Sequence, residues 1–427
     1  MLKKAAITGW GCFTPEKVLD NSDLEKLVDT TDEWIRSRTG ISQRRQAGAG
    51  ETTGTMCTIA AQRALESARL PAHEVDLVIG PQTGPEGSLY DQAKAAGVPI
   101  IVVEELRRAP NPFHDIGAGV ALRRLFVGKR YDVVHTHSGK AGFVGRIAAK
   151  LAHVPMIVHT IHGPSFYEYQ NPIGNWVFRW AEKVAGECTT QFVSVADAMT
   201  EEYLAAGIGT PNRYVTIHSG MNVSAFLDAR RDDSLRESLG ISPGDLVVGK
   251  IARLFRLKGH EFLFGAASRI VAAVPNVKFL LVGDGIYRER FEHLATEMNL
   301  RGHFVFAGLI QPSEIPRYVA SMDLLVHLSL REGLPRALPQ ALACGKPVVA
   351  FDVDGAREVC VDGETGLLVR AGDVTGLGNA VIRLLQDKAL ANRMAAQGRN
   401  LVKERFSEER MVRQLVELYR RLWAARH

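Results

Sequence analysis

Two basic side chains in the carboxy-terminal half of the chain have the types and spacing that suit a diphosphate. Arg253 follows a predicted strand, and Lys258 stands five residues later, directly before Gly259 and a predicted helix. Arginine can bind phosphate through two parallel hydrogen bonds, whereas lysine acts as a mobile point charge. This motif alone predicts either a phosphate site or two solvated loop ends, with nothing to choose between them.

A second segment, from Leu328 to Pro347, favours the phosphate site. Here a predicted strand ends, Glu332 stands in the turn, and Pro335 lies near the first turn of a predicted helix. Proline suits that position because its missing amide hydrogen has no helical partner to lose, and the free amides around Gly333 would point at an anion. The segment therefore predicts the second half of a diphosphate site.

Polar side chains also follow two successive strands of the amino-terminal half. Because ligands bind outside the carboxyl ends of parallel strands, we expect these groups to cluster at one edge of a sheet, where histidines can act on hydroxyls or phosphates. Buried, hydrogen-bonded histidines are the alternative, equally good for His135 and His159 and weaker beside the glycine loops. The candidates are His135, His137, Lys140, His159, His162 and Gly163.

The elements that must position these groups alternate between short β-branched runs and longer helical patterns, which is typical of βαβ units. The pattern predicts an α/β protein with two Rossmann-like domains and a cleft between them; the first six strands form one doubly wound sheet and the others a second one. The predicted strands are 75–79, 99–103, 132–135, 156–160, 191–195 and 214–217, then 246–251, 278–282, 303–306, 324–328 and 347–351.

Composition narrows the class of protein. A chain of 427 residues exceeds what one hydrophobic core supports, and its net charge of +5 favours small anionic ligands or lipid headgroups over nucleic acid, since no nucleic-acid-binding motif accompanies it. Five scattered cysteines argue against disulfides and a structural zinc site. The sequence has no run of 18 apolar residues. It therefore predicts a cytoplasmic protein, in which any membrane contact is peripheral, at the inner face of the membrane.

Residues 82–423 resemble glycosyltransferase family 4 in the motifs Arg253-x4-Lys258 and Glu332-Gly333-Leu334-Pro335. Four further segments match the strand ends and turns of that family: Val282–Gly285, Phe306–Gly308, Ala343–Pro347 and Asp362–Leu368. The resemblance implies the GT-B fold, with an acceptor-side domain over 81–228, a donor-binding domain over 229–405 and a terminal amphipathic helix over 406–427.

The same resemblance implies a retaining glycosyltransferase of cell-envelope or exopolysaccharide synthesis. It would move a sugar from a UDP- or GDP-linked donor, as substrate, to a glycan or lipid-linked acceptor, without a metal or other cofactor. His162 and Glu332 would be catalytic, and His137, Lys140 and Gly163 would lie on the acceptor side. The donor would contact Arg253, Lys258, Gly333, Leu334 and Gln340.

Residues 1–80 resemble another family, the amino-terminal segment of β-ketoacyl-ACP synthase III in the thiolase fold, through Thr31–Ile35 and Arg38–Ile41. This apparent chimera replaces the first strand and helix of the amino-terminal domain, and Leu2–Thr8 would fill the slot of the lost strand. The nucleophilic cysteine of that family lies downstream of the matching segment. A nucleotide-sugar-binding but catalytically impaired chimera is therefore the main alternative function, and acyl transfer the weaker one.

Gln340 stands where family 4 has the second glutamate of its glutamate-x7-glutamate pattern. A carboxylate accepts two hydrogen bonds from ribose hydroxyls, whereas the amide of glutamine carries only one oxygen acceptor. We therefore expect Gln340→Glu to keep or improve nucleotide affinity in calorimetric titration. A clear loss of affinity would instead assign Gln340 to helix packing.

Overall fold

The computed structural model describes residues 18–20, 43–45, 75–81, 93–94, 97–107, 111–167 and 170–426. The chain forms two compact units, the first comprising 1–159, 184–190 and 412–427, and the second comprising 160–183 and 191–411. The predicted strand Leu2–Thr8 and the motifs at Thr31–Ile35 and Arg38–Ile41 lie outside the described residues. The predicted domain boundaries stay predictions.

The first unit is built around helix Pro112–Lys129 and helix Gly139–Leu151. The first of these begins at Asn111, whose side chain accepts hydrogen bonds from the amides of Phe113 and His114, as a capping residue does. Its buried side chains share one hydrophobic cluster with Val134 and Ile157. The described strands of this unit include Val18–Asp20 paired antiparallel with Gln43–Arg45, Leu77–Ile79 paired parallel with Ile100–Val102, and Val133–His137.

Among the described residues, the six strands expected in one amino-terminal sheet lie in two groups. Leu77–Ile79 and Ile100–Val102 make a two-stranded sheet, while a four-stranded sheet has the order Val133–His137, Met156–Ile161, Gln191–Ser194 and Tyr214–Thr216. All six of these predicted strands are present, and among the described residues no hydrogen-bonded strand joins the two groups. The single sheet stays a prediction, because the strand Leu2–Thr8, expected at its centre, lies outside the described residues.

The second unit contains a six-stranded parallel sheet, made of the five strands that the sequence predicts for a Rossmann-like domain and a sixth, Gly366–Val369, that it did not predict. Its strands lie in the order Phe304–Gly308, Val277–Val282, Leu246–Ile251, Leu324–His327, Val348–Phe351 and Gly366–Val369. The helices that accompany it are Val223–Leu227, Asp233–Ser238, His260–Ala273, Arg288–Glu297, Ile315–Ala320, Ala337–Ala343, Val374–Gln386 and Lys388–Arg405. Two other helices precede these along the chain: Asp197–Ala205 lies within the second unit, and Pro172–Cys188 begins in it.

Both faces of this sheet are buried, since consecutive residues of one strand belong to different cores. Val247 is part of one hydrophobic cluster and Val248 part of the other, and both side chains are fully buried. Two buried faces are the reason why the strands of a parallel sheet are continuous apolar runs. A polar residue in such a strand, such as Lys250, is therefore exceptional.

The predicted terminal helix extends over Glu408–Ala424. Leu418 of its apolar stripe is buried, and the hydroxyl of the adjacent Tyr419 hydrogen-bonds with Nδ1 of His135. The stripe thus packs on the protein, as the sequence favours. In the portion of the chain that the structure describes, no helix combines the length and apolar character that crossing a membrane requires.

Gly249 in the central strand lies against the side chain of Met322, which is 1% exposed. A Cβ at this position would overlap the sulfur and two carbons of Met322. We expect Gly249→Ala to destabilise the protein by about 1 to 3 kcal/mol, the usual cost of overpacking a core. Denaturant unfolding measures this.

Gly302→Ala is the matched control, because a Cβ at Gly302 has no other atom within 4 Å and the residue is exposed. Equal unfolding midpoints for the two variants would contradict the packing of Gly249 against Met322.

Candidate functional site

The loop after strand Leu246–Ile251 carries both predicted cations. The amide of Leu254 donates to the carbonyl of Asp284 at 3.0 Å, so this loop lies against the Val282–Gly285 turn. Arg253 is exposed, with its guanidinium carbon 5.1 Å from the ring centroid of Phe255. The loop thus holds Arg253 at the carboxyl end of the central strand.

The second half of the loop is fastened to the end of strand Leu324–His327. The amide of Leu330 donates to the carbonyl of Leu257 at 2.9 Å. Leu257 and Gly259 have left-handed φ angles of 69° and 66°, and a Cβ at Gly259 would overlap the carbonyl oxygen of Leu328. Only glycine permits this approach, and Lys258 is thereby brought to the segment that contains Glu332.

Lys258 and Glu332 form the central ion pair of the site. Nζ of Lys258 donates to Oε1 of Glu332 at 2.6 Å, and both side chains are half-buried. Burial by itself raises the pKa of Glu332, but neighbouring positive charge and the hydrogen bond from Lys258 outweigh burial and hold the pKa below its ordinary value. Glu332 is therefore an ionised acceptor at neutral pH.

The backbone around Glu332 is fixed by two further segments. The amide of Glu332 donates to Oδ2 of Asp354 at 2.7 Å, and the amide of Gly355 donates to the carbonyl of Gly333 at 3.1 Å. A Cβ at Gly333 would overlap the carbonyl oxygen of His162. The structure thus brings the backbones of the two predicted catalytic residues together, and any side chain at Gly333 would separate them.

Asp354 and Arg331 are site residues that sequence reasoning missed. Asp354 has a φ of 45° at the start of the 3-10 helix Asp354–Glu358, and burial raises its pKa. Nη2 of Arg331 donates to Glu202 at 2.8 Å and to the carbonyl of Phe166 at 3.2 Å. Arg331 directly precedes Glu332, so the same sequence motif could have identified it. Glu202, in helix Asp197–Ala205, lies in no motif that indicates a site.

Buried polar groups lie beside the ion pair, and the sequence analysis did not single them out. Lys250, His260 and His327 are 1%, 1% and 4% exposed. Nζ of Lys250, both ring nitrogens of His260 and Nε2 of His327 have no hydrogen-bond partner among the described residues. Burial is the main cause that lowers the pKa of Lys250 to about 7 and that of His327 to about 3. A lysine inside an apolar strand was the available signal.

Among the histidine and lysine candidates of the first unit, His159 lies in the core, whereas His137 is exposed and Lys140 is half-buried. His159 is buried, with Nδ1 2.9 Å from Oγ1 of Thr136, so the alternative of a hydrogen-bonded core histidine is correct for this residue. His137 is exposed and stacks on His135 with ring centroids 4.5 Å apart. Lys140 forms an ion pair with Asp115.

The remaining candidates belong to the second unit. The side chain of His162 is accessible to solvent. Neighbouring protein atoms still remove part of the water around its ring, and this desolvation lowers its pKa. Gly163 stands at the same backbone contact, since a Cβ there would lie 3.8 Å from the nitrogen of Gly333. The side chain of Leu334 is part of the core, and Gln340 is half-buried on helix Ala337–Ala343.

Relatives with known names match most of the chain. An Escherichia coli protein named UDP-Gal:alpha-D-GlcNAc-diphosphoundecaprenol alpha-1,3-galactosyltransferase is 29% identical over 355 residues, covering 82% of this chain and 90% of that protein. The Staphylococcus aureus capsular polysaccharide biosynthesis glycosyltransferase CapM is 24% identical and covers 81% of this chain and 90% of its own.

The fold is similar to solved GT-B structures. Anabaena HepE, crystallised in complex with UDP, superposes with a TM-score of 0.69 at 22% identity, covering 81% of this chain and 99% of that one. Sucrose-phosphate synthase from Thermosynechococcus elongatus gives 0.69 at 23% identity, with 82% and 100% covered. These likenesses confirm the predicted α/β class with two Rossmann-like domains, whereas the thiolase-like segment stays a prediction.

The front of the chain has a different relative. The β-ketoacyl-[acyl-carrier-protein] synthase III of Roseiflexus is 54% identical over 79 residues, which is 18% of this chain and 24% of that protein. This match supports the predicted chimera. The match covers 24% of that protein, so most of the condensing enzyme lies outside the matching segment.

Two family models account for most of the chain beyond that segment. Residues 57–220 match the glycosyl transferase 4-like domain, and residues 231–401 match glycosyl transferases group 1. The second range contains Arg253, Lys258 and Glu332 on the strand-end loops described above. The chain therefore belongs to the GT-B glycosyltransferases that join a 4-like domain to a group 1 domain, and it is a transferase by family.

Proposed function

We propose that the protein transfers a hexose or hexose derivative from a nucleoside diphosphate to a lipid-linked or glycan acceptor, with retention of anomeric configuration, in cell-envelope polysaccharide synthesis. The observation that carries the proposal is the Lys258–Glu332 pair, fixed at 2.6 Å at the carboxyl end of a parallel sheet. Ligands of open parallel sheets bind at that edge. Retention rests on the family resemblance.

In this proposal the cations meet the charge that develops on the leaving diphosphate. Lys258 has a flexible stem and can turn from Glu332 to a phosphate oxygen, while Arg253 can grip two oxygens at once. Charge stabilisation of this kind is a major contribution to catalysis. Glu332 would then accept hydrogen bonds from donor sugar hydroxyls. Two protein cations supply the charge, so we propose no metal or cofactor.

We propose UDP as the nucleotide of the donor. The name of the Escherichia coli relative specifies UDP-Gal, and Anabaena HepE was crystallised with UDP. The two proteins are similar to this chain over 82% and 81% of its length. The sugar itself is a separate question that a screen of donors answers.

A cavity of about 790 Å³ in the second unit supports a lipid-linked acceptor. Trp176 and Trp180 are 66% and 54% exposed at its wall, and Arg179 and Lys183 lie beside them. Aromatic surface with adjacent cations suits a molecule that joins an apolar chain to a diphosphate. The Escherichia coli relative is named for such an acceptor.

Thermal shift with UDP-, GDP- and ADP-sugars, followed by turnover with the stabilising donor, tests the proposal. A ligand that binds only the folded state raises the melting temperature. Stabilisation by UDP-sugars together with transfer to a lipid-linked acceptor supports the enzyme, whereas stabilisation without turnover favours the catalytically impaired chimera. No stabilisation by any nucleotide sugar would overturn both.

Lys258→Ala and Arg253→Ala should each weaken nucleotide binding, because each removes a charge-assisted hydrogen bond of about 1.5 to 3 kcal/mol. We expect affinity for UDP to fall roughly 10- to 100-fold in calorimetric titration.

Lys403→Ala is the matched control, since Lys403 is exposed on helix Lys388–Arg405 of the same unit. Melting temperatures near that of the wild type establish that the variants are folded. Wild-type affinity in both site variants would remove Arg253 and Lys258 from the donor site.

A further inference from the structure

Asp354 is a carboxylate beside the proposed donor site that the proposed transfer does not use. Its Oδ2 accepts a hydrogen bond from the backbone amide of Glu332 at 2.7 Å. The side chain of Glu332 makes a separate contact, because its Oε1 accepts from Nζ of Lys258 at 2.6 Å. The contact with Asp354 therefore fixes where the backbone of Glu332 lies.

The backbone of Asp354 adopts a conformation that most residues avoid. Its φ angle is 45°, in the left-handed region that favours glycine. Residues other than glycine persist in this region where the surrounding structure holds them, and such residues cluster at functional sites. The side chain of Asp354 bonds with a residue 22 positions away. The backbone conformation by itself does not require the carboxylate, because glycine would satisfy it with less strain.

The segment that carries Asp354 is fixed by contacts of its own. Asp354 begins the 3-10 helix Asp354–Glu358. At the other end of this helix, Oε1 of Glu358 accepts from the amide of Ala198 at 3.2 Å. Oε2 of the same side chain lies 2.9 Å from Nε2 of His218. A fixed support thus presents the carboxylate of Asp354.

The loop that carries the two cations of the proposed donor site has a separate attachment. The amide of Leu330 donates to the carbonyl of Leu257 in this loop at 2.9 Å. Leu330 stands two residues before Glu332 in the sequence. Loss of the Asp354 contact would therefore release the backbone of Glu332, while the loop keeps its own hydrogen bond.

We propose that Asp354 is a positioning residue, which holds the backbone of Glu332 so that the glutamate side chain meets the hydroxyls of the donor sugar. The inference rests on the proposed function, in which Glu332 binds those hydroxyls while Arg253 and Lys258 bind the diphosphate. Asp354 then contributes to affinity for the sugar and leaves affinity for the nucleotide unchanged. No covalent bond forms or breaks in this role.

Two substitutions separate the hydrogen bond from the backbone conformation. Asp354→Gly removes the acceptor, and glycine adopts a φ of 45° without strain. Asp354→Asn keeps one side-chain oxygen that can accept from the amide of Glu332, and asparagine also visits the left-handed region. Melting temperatures establish that both variants are folded.

Asp387→Gly is the matched control. Oδ1 of Asp387 accepts from the amide of Leu390 at 2.9 Å, at the start of helix Lys388–Arg405 in the same unit. The control therefore loses a hydrogen bond of the same kind, between a carboxylate and a backbone amide, at a residue that is exposed.

Calorimetric titration with UDP, UDP-galactose and UDP-glucose measures how much the sugar adds to binding. Relatives of this chain are named for the first sugar or crystallised with the second. For the UDP-sugar that the wild type binds more tightly, Asp354→Gly should lose roughly tenfold in affinity, while affinity for UDP changes by less than about twofold. Asp354→Asn and Asp387→Gly should keep the wild-type ratio of the two affinities.

Three outcomes of these titrations would overturn the positioning role. The first is a wild-type ratio in Asp354→Gly. The second is an equal loss of affinity for UDP and for the UDP-sugar, which would give Asp354 a structural role only. The third is the same selective loss in Asp354→Asn, because the acceptor oxygen would then not be what holds Glu332.

Hydrogen exchange of the ligand-free protein tests the contact itself. The amide of Glu332 should exchange at least about tenfold faster in Asp354→Gly than in the wild type, and Asp354→Asn should restore its protection. The amide of Leu330 is the internal reference, since its acceptor, the carbonyl of Leu257, is unchanged in both variants. Equal exchange of the Glu332 amide in wild type and Asp354→Gly would also overturn the positioning role.

The proposed function and this inference fail in different ways. If the wild type binds neither UDP nor any nucleotide sugar, the proposed function falls and the role of Asp354 toward the sugar falls with it. Hydrogen exchange would still show whether Asp354 holds the backbone of Glu332. If the wild type binds UDP-sugars and Asp354→Gly binds them equally well, only the inference falls.

Discussion

The arrangement of the site in the second unit depends on how closely backbone segments approach one another at three glycines. Gly259 lies against the carbonyl of Leu328, Gly333 against that of His162, and Gly355 against that of Gly333. At each of these positions a Cβ would overlap a carbonyl oxygen, and backbone atoms cannot move aside as a flexible side chain can. Because the three glycines have no side chain, Lys258, Glu332 and the backbone of His162 can come together.

Close approach of this kind also concentrates charge. Oε1 of Glu332 lies 2.6 Å from Nζ of Lys258 and 3.7 Å from Nε2 of His327, and in a region of low dielectric such contacts matter more than they would in water. The fold has neutralised His260 and His327 by burial rather than by pairing.

The front segment, residues 1–80, lies in the first unit, whereas the proposed donor site lies in the second. The relative that matches it covers 79 residues, and the 4-like family model begins at residue 57, inside the segment that we assign to the condensing-enzyme resemblance. All residues proposed to bind the donor belong to the second unit, which includes none of residues 1–159. Donor binding and catalytic turnover can consequently be separated by experiment, which is the reason to measure both.

The sequence by itself determined five of the six strands of the large sheet in the second unit to within a residue or two, because two buried faces require continuous apolar runs. It missed the sixth, Gly366–Val369. It also identified Arg253, Lys258 and Glu332, since strand-end motifs are local patterns that a single chain displays. Tertiary structure decided which strands pair: among the described residues, Leu77–Ile79 pairs with Ile100–Val102, and the other four amino-terminal strands form a four-stranded sheet. It also revealed Asp354, Glu202 and the buried group around Lys250, whose contacts join positions between 22 and 129 residues apart in the cases of Asp354 and Glu202. Burial and charge competition are properties of the packed molecule, and no spacing rule along the chain contains them.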